Sequence, residues 1–188
     1  MFDRLDELQE GDILVLAGSI PASMPESMYR DIMKRLADRK LKIAVDATKS
    51  LLLNVLPFHP FVIKPNNHEL GELFNVKIKS KDQAVEYAKK LQEMGAQNVI
   101  VSMAGEGAVF VGDDGSVFQS EAPKGTVVNS VGAGDSMVAG FLAGYLGEGD
   151  YKEAFKLGVC TGSASAFSEQ LATREQVEAI RNTHHFQF

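Results

Sequence analysis

The sequence predicts an α/β fold: a mostly parallel central sheet with helices on both faces, three layers in all, and a late β-hairpin. Three observations lead there. Continuous apolar runs of strand length alternate with helix-length segments, as in a sheet buried on both faces. Asp113-Asp114-Gly115 between two short β-like runs is a hairpin signal. Asn129 to Asp135 forms a glycine turn that opens into the apolar helix Ser136 to Leu146.

The elements follow in order. Met1 to Gln9 reads as the end of an amphipathic helix, with Phe2, Leu5 and Leu8 on one face. Asp12 to Ala17 is a buried strand broken by Gly18-Ser19-Ile20-Pro21, and a helix runs from about Pro25 to Arg39. Lys42 to Asp46 is the second strand, Ser50 to Val55 a short helix, and Phe61 to Lys64 a third strand stopped by Pro65. Asn66 opens a helix reaching about Phe74. Ser80-Lys81-Asp82-Gln83 is a capping-box pattern whose helix ends at Gly95. Asn98 to Ser102 is the fourth strand. Ala108 to Val111 and Ser116 to Gln119 make the hairpin, Thr126 to Val128 a short strand, and Tyr151 to Phe167 and Thr173 to Arg181 the last helices.

Size and composition narrow the function classes. The 188 residues suit a single domain, residues 1–188, without linker or repeat. A net charge of −6 without a Lys/Arg run argues against a nucleic-acid surface. No apolar run reaches membrane-spanning length. The acidic N-terminus is unlike a signal peptide, and the single cysteine, Cys160, fits a reducing cytoplasm.

In open parallel sheets ligands gather beyond the carboxyl ends of the strands. The turns at Gly18-Ser19, Asp46-Ala47, Lys64-Pro65-Asn66, Ser102 to Gly107 and Gly132 to Asp135 all fall at that end. Gly132 and Gly134 can adopt dihedrals closed to other residues and expose N–H groups at a helix start, an anion site. Asp135 at that positive end either caps the helix or accepts a proton from a hydroxyl attacking the anion. Asn66 and Glu69 sit one helical turn apart: they either bind hydrated Mg²⁺ or close a capping box. Asp46 is scaffolding or a substrate contact, and Lys124 touches a phosphate or faces water. His68 belongs on the surface, and His184 and His185 lie in an unstructured-looking tail. Ser102-Met103-Ala104-Gly105-Glu106-Gly107 is either a nucleotide loop or a plain strand-to-strand turn. Walker A and the Rossmann glycine fingerprint are both absent.

Ala17-Gly18-Ser19-Ile20-Pro21, Lys64-Pro65-Asn66 with Glu69-Leu70, Ser102 to Gly107, and Val131-Gly132-Ala133-Gly134-Asp135-Ser136 occur in this order. Together they resemble the PfkB/ribokinase family of sugar kinases, over essentially the whole chain. The resemblance implies a ribokinase-like three-layer fold and transfer of phosphate from ATP, with Mg²⁺, to a phosphorylated ketohexose such as fructose 1-phosphate or tagatose 6-phosphate. It implies that Asp135 is the catalytic base and that the Gly132, Ala133 and Gly134 amides form the anion hole. Asn66 and Glu69 would organise Mg²⁺ and phosphates, partly through water, and Ser102, Gly105 and Gly107 would line the ATP loop.

Two departures stand out. Asn129 occupies a place where cation-dependent members often carry Asp, which puts a monovalent-cation site in doubt. The family's first strands, β-lid and most sugar contacts have no counterpart, so the chain reads as the C-terminal portion. An apolar sheet edge is then expected beside Asp12 to Ala17, with weak stability, self-association and little turnover. A non-catalytic nucleotide-binding module is the alternative.

Overall fold

In the computed structural model, which describes residues 2–21 and 23–188 without the side chains of Phe2 and Glu148, six strands form one sheet. They are β1 (Ile13–Ala17), β2 (Lys42–Asp46), β3 (Val62–Ile63), β4 (Asn98–Ser102), β5 (Ala108–Val111) and β6 (Val117–Ser120), lying side by side in chain order. β1 to β4 are parallel, and β5 and β6 add the antiparallel hairpin.

Eight helices surround the sheet: α1 (Phe2–Leu5), α2 (Met28–Leu36), α3 (Lys49–Val55), α4 (Asn67–Phe74), α5 (Lys81–Glu93), α6 (Ala133–Glu148), α7 (Tyr151–Ala166) and α8 (Arg174–Thr183). The three parallel crossovers advance in one direction, so right-handed connections place α2 to α5 on one face. The period-2 alternation of the strands records this. Ile43, Val45, Ile63, Val99, Val101, Val109 and Val111 point into a core with Met33, Leu36, Leu52, Leu70 and Leu91. Their neighbours Ala44, Val62, Ile100, Ala108 and Phe110 point the other way, onto Phe141 and Leu142 of α6 and Phe155 of α7. Both faces are buried, which is why these strands read as unbroken apolar runs. β1 is an outer strand, and Val15 on it is 45% exposed.

Several expectations need correction. Met1 and the Phe2 side chain of the expected first helix lie outside the described residues. Regular helix ends at Leu5: Glu7 and Leu8 close tighter turns onto Arg4 and Leu5, and the Gln9 N–H turns to the Asp12 carboxylate at 2.8 Å. Residues 26–27 form a turn, so the second helix starts at Met28, and Ala37–Arg39 tightens into a 3₁₀ turn. Thr126 to Val128 is not a strand. The N–H groups of Val128 and Asn129 both donate to the Ala166 carbonyl at the end of α7, and Val127 and Val128 stay exposed. The C-terminal tail lacks regular structure but is packed. The His184 ring shares a 3.2 Å hydrogen bond with the Ser120 hydroxyl, and Phe188 lies against Phe118 and Phe155. Burial pushes the His184 imidazole below its usual pKa.

Candidate functional site

The carboxyl ends of β2 and β3 meet the start of α6, where Asp46 and Lys64 lie beside Gly134. α6 has the longest apolar stretch of the chain and no polar cap. Its N-cap is Gly132, at φ +79°, and no side chain accepts from its first turn. Gly132 needs that left-handed conformation, and an added Cβ would also sit 2.9 Å from Leu171. Gly134 is a different case. Its φ is not positive, so its backbone would accept any residue, but an added Cβ would stand 3.1 Å from the Lys64 ammonium nitrogen. Conformational freedom, expected for both glycines, explains only the first.

Helix starts leave N–H groups without partners, so each donor at this one can be traced. Ala133 N–H, expected in the anion hole, is already bonded to the Ser130 carbonyl at 3.2 Å. Ser136 N–H bonds Gly132 O at 2.8 Å, and Val131 N–H bonds the Asn129 side-chain oxygen at 3.0 Å. Among the described residues, the N–H groups of Gly132, Gly134 and Asp135 have no acceptor. Asp135 is exposed, stands at the third helical position rather than at the cap, and its carboxylate accepts no hydrogen bond from the described residues. A cavity of about 540 Å³ opens there, bounded by Asn129, Val131, Gly132, Asp135, Gln170 and Leu171.

Asn66 and Glu69 resolve differently. Asn66 Oδ1 accepts from His68 N and Glu69 N, both at 2.9 Å, and Asn66 N–H donates to Glu69 Oε2 at 2.8 Å. This is a complete capping box. It occupies the Asn66 oxygen expected to organise Mg²⁺, while Glu69 keeps Oε1. Glu69 Oε1, which remains, is a hard oxygen of the kind Mg²⁺ takes beside waters and phosphate oxygens. No group of three His, Cys, Asp or Glu side chains among the described residues forms a protein-only metal cage.

Asp46, read from sequence as scaffolding or a substrate contact, and Lys64, read only as part of a strand-end turn, lie beside Gly134 at the helix mouth. Lys64 follows β3, is only 7% exposed, and pairs with Asp46 Oδ2 at 3.2 Å. Burial pushes the Asp46 carboxyl above its usual pKa; Lys64 opposes this, while the nearby charges of Asp135 and Glu69 add to it. The three carboxylates and the ammonium therefore share one field. Lys64 could have been found from its place at a strand end before Pro65, but lysine reads as a surface residue.

The Ser102 loop divides. Ser102 bridges Asn66 and donates its N–H to Pro65 O at 3.2 Å, beside the crevice. Gly105 borders a separate cavity of about 380 Å³ with Lys81, Glu106 and Glu121. Gly107, at φ +93°, lies where a Cβ would be 1.9 Å from Ser120 O, so the hairpin alone demands glycine there. Neither glycine borders the cavity that holds Asp135. His68 and Lys124 are exposed. The Asn129 side-chain N–H donates to Glu169 O at 3.2 Å, tying the turn to the loop after α7.

Comparison with known proteins bears on this arrangement. The model of the pfkB family carbohydrate kinases matches residues 1–177. The chain belongs to that family. The 1-phosphofructokinase of Bacillus subtilis is 49% identical over 178 residues, 95% of this chain and 58% of that protein. The D-tagatose-1-phosphate kinase of Bacillus licheniformis is 33% identical over 91% of this chain and 56% of that protein. A crystal structure of a candidate phosphofructokinase from Staphylococcus aureus superposes with a TM-score of 0.92 at 39% identity, covering 98% of this chain and 60% of that one. The chain thus spans less than three-fifths of the length of the curated relatives it matches, and its fold is that of a pfkB kinase.

Proposed function

We propose that this chain is the phosphoryl-handling part of a kinase that moves the γ-phosphate of ATP to the 6-hydroxyl of a ketohexose 1-phosphate, fructose 1-phosphate first. The single observation that carries this is the open start of α6. Three N–H donors and one carboxylate stand there without partners among the described residues, at the ligand end of the sheet.

The chemistry follows from the geometry. The N–H groups of Gly134 and Asp135 hold oxygens of the transferring phosphoryl group, where the helix dipole favours negative charge. The Asp135 carboxylate takes the proton of the 6-hydroxyl as its oxygen bonds to γ-phosphorus. The bond from γ-phosphorus to the bridging oxygen breaks, and ADP leaves with the electron pair. Mg²⁺, bound through Glu69 Oε1, water and phosphate, would neutralise charge on the phosphates. The relatives' names favour an acceptor phosphorylated at C1, so tagatose 1-phosphate replaces tagatose 6-phosphate as the second candidate.

The chain alone is expected to bind ATP·Mg²⁺ and to turn over little. Isothermal titration beside a coupled ADP assay tests this. Heat on ATP addition with little ADP formed supports the reading, and no heat refutes it. Fast turnover with fructose 1-phosphate would refute the expectation of a weakly active chain while keeping the kinase assignment.

A further inference from the structure

We infer that Lys64, beside Gly134, binds the transferring phosphoryl group, and that Asp46 is the positioning residue that holds its ammonium there. This deepens the proposed function and rests on it.

Three observations converge. First, a 7% exposed ammonium has three N–H donors, and among the described residues it has one acceptor, Asp46 Oδ2 at 3.2 Å. Buried ammonium groups are costly unless their remaining donors find partners. Second, this nitrogen faces the anion-binding turn. The atoms that an added Cβ on Gly134 would meet are Lys64 Nζ at 3.1 Å, Lys64 Cε at 3.4 Å and Asp46 Oδ2 at 4.0 Å. Gly134 has no positive φ, and alanine would favour a helix by about 1 kcal/mol. Glycine at this position leaves room for the lysine. Third, Asp46, Glu69 and Asp135 place three carboxylates around a site that must accept a polyanion. A single fixed ammonium among them offsets that repulsion where the amides already point.

A purely structural pair, fastening the end of β2 to the end of β3, makes a different prediction. Its loss would change stability but not the discrimination between nucleotides. The test uses this chain and the double variant Lys64→Met/Asp46→Asn, which replaces both charges by neutral groups of similar size and leaves no orphan ion. Gly134→Ala serves as a second variant, crowding the ammonium without removing it. Each is titrated with ATP·Mg²⁺ and with ADP·Mg²⁺, and its fold is checked by thermal melting.

The expected result is a loss of about tenfold or more in ATP affinity, with ADP affinity nearly unchanged, in both variants. If both keep the wild-type ratio of ATP to ADP affinity, Lys64 is structural only and the kinase reading stands. If the double variant does not melt cooperatively, Gly134→Ala decides by the same ratio. If the unaltered chain binds neither nucleotide, the inference and the proposed function fall together.

Discussion

Two helix starts on this sheet are built in opposite ways. α4 closes its own N-terminus: Asn66 and Glu69 satisfy three N–H groups reciprocally. α5, α7 and α8 are likewise capped by Ser80, Asp150 and Thr173. α6, at the mouth of the crevice, has glycine at its cap and leaves three donors and a carboxylate open. A capped end is worth about 1 kcal/mol, so an uncapped one gives up stability for access. The contrast distinguishes an acid engaged in a cap, Glu69, from one left unengaged, Asp135, which residue type alone does not.

The largest test of the contrast is Asp135→Asn in a form of the kinase that turns over. kcat is expected to fall at least about a hundredfold with ATP affinity retained. Near-normal turnover would make the open end incidental. Next comes Gly132→Ala, which forces a left-handed φ on alanine and presses on Leu171. Chemical denaturation should show a loss of about 1–3 kcal/mol. Asn66→Ala sharpens the other side: about 1 kcal/mol of stability should disappear, with ATP affinity little changed. A large loss of ATP affinity there would mean that the closed end also serves the ligand.

The smallest effect concerns pH. The Asp46 carboxyl is held above 3.8 in the folded protein, so its folding contribution is complete below that value and fades as pH rises through the raised one. The stability of wild type relative to Asp46→Asn should therefore decline as pH climbs above 3.8. Urea midpoints of the two proteins across that range would reveal it, and a difference that grows with pH would reverse the assignment.

Much of the scaffold was legible because local signals and burial agree. The alternation of strands and helices, the turn at Asp113-Asp114-Gly115 and the cap at Ser80 each carry one meaning, although the expected box is incomplete: the Gln83 side chain accepts from Lys79 N–H rather than from Ser80 N–H. The site was only half legible. Asp135 and Gly132 announce themselves by pattern, but Ala133 loses its donor to Ser130, which no spacing reveals. Lys64 comes beside Gly134 only when α6 folds over the end of β3, a contact between segments about seventy residues apart. Val127 and Val128 look like strand residues, yet their segment spends its N–H groups on the last turn of α7. Phe188 falls in a tail that reads as unstructured, and its packing depends on a surface made by β6 and α7.

The side-by-side order of the strands has a consequence for how the protein is made. Strands and the helices α2 to α5 can assemble as synthesis proceeds, since each contact is with the segment just completed. Among the described residues, their reverse face, carrying Val62, Ile100 and Phe110, takes its cover from residues 133–166, the last large segment to leave the ribosome. A nascent chain stalled near residue 130 would present a broad greasy sheet, a natural client for holdase chaperones.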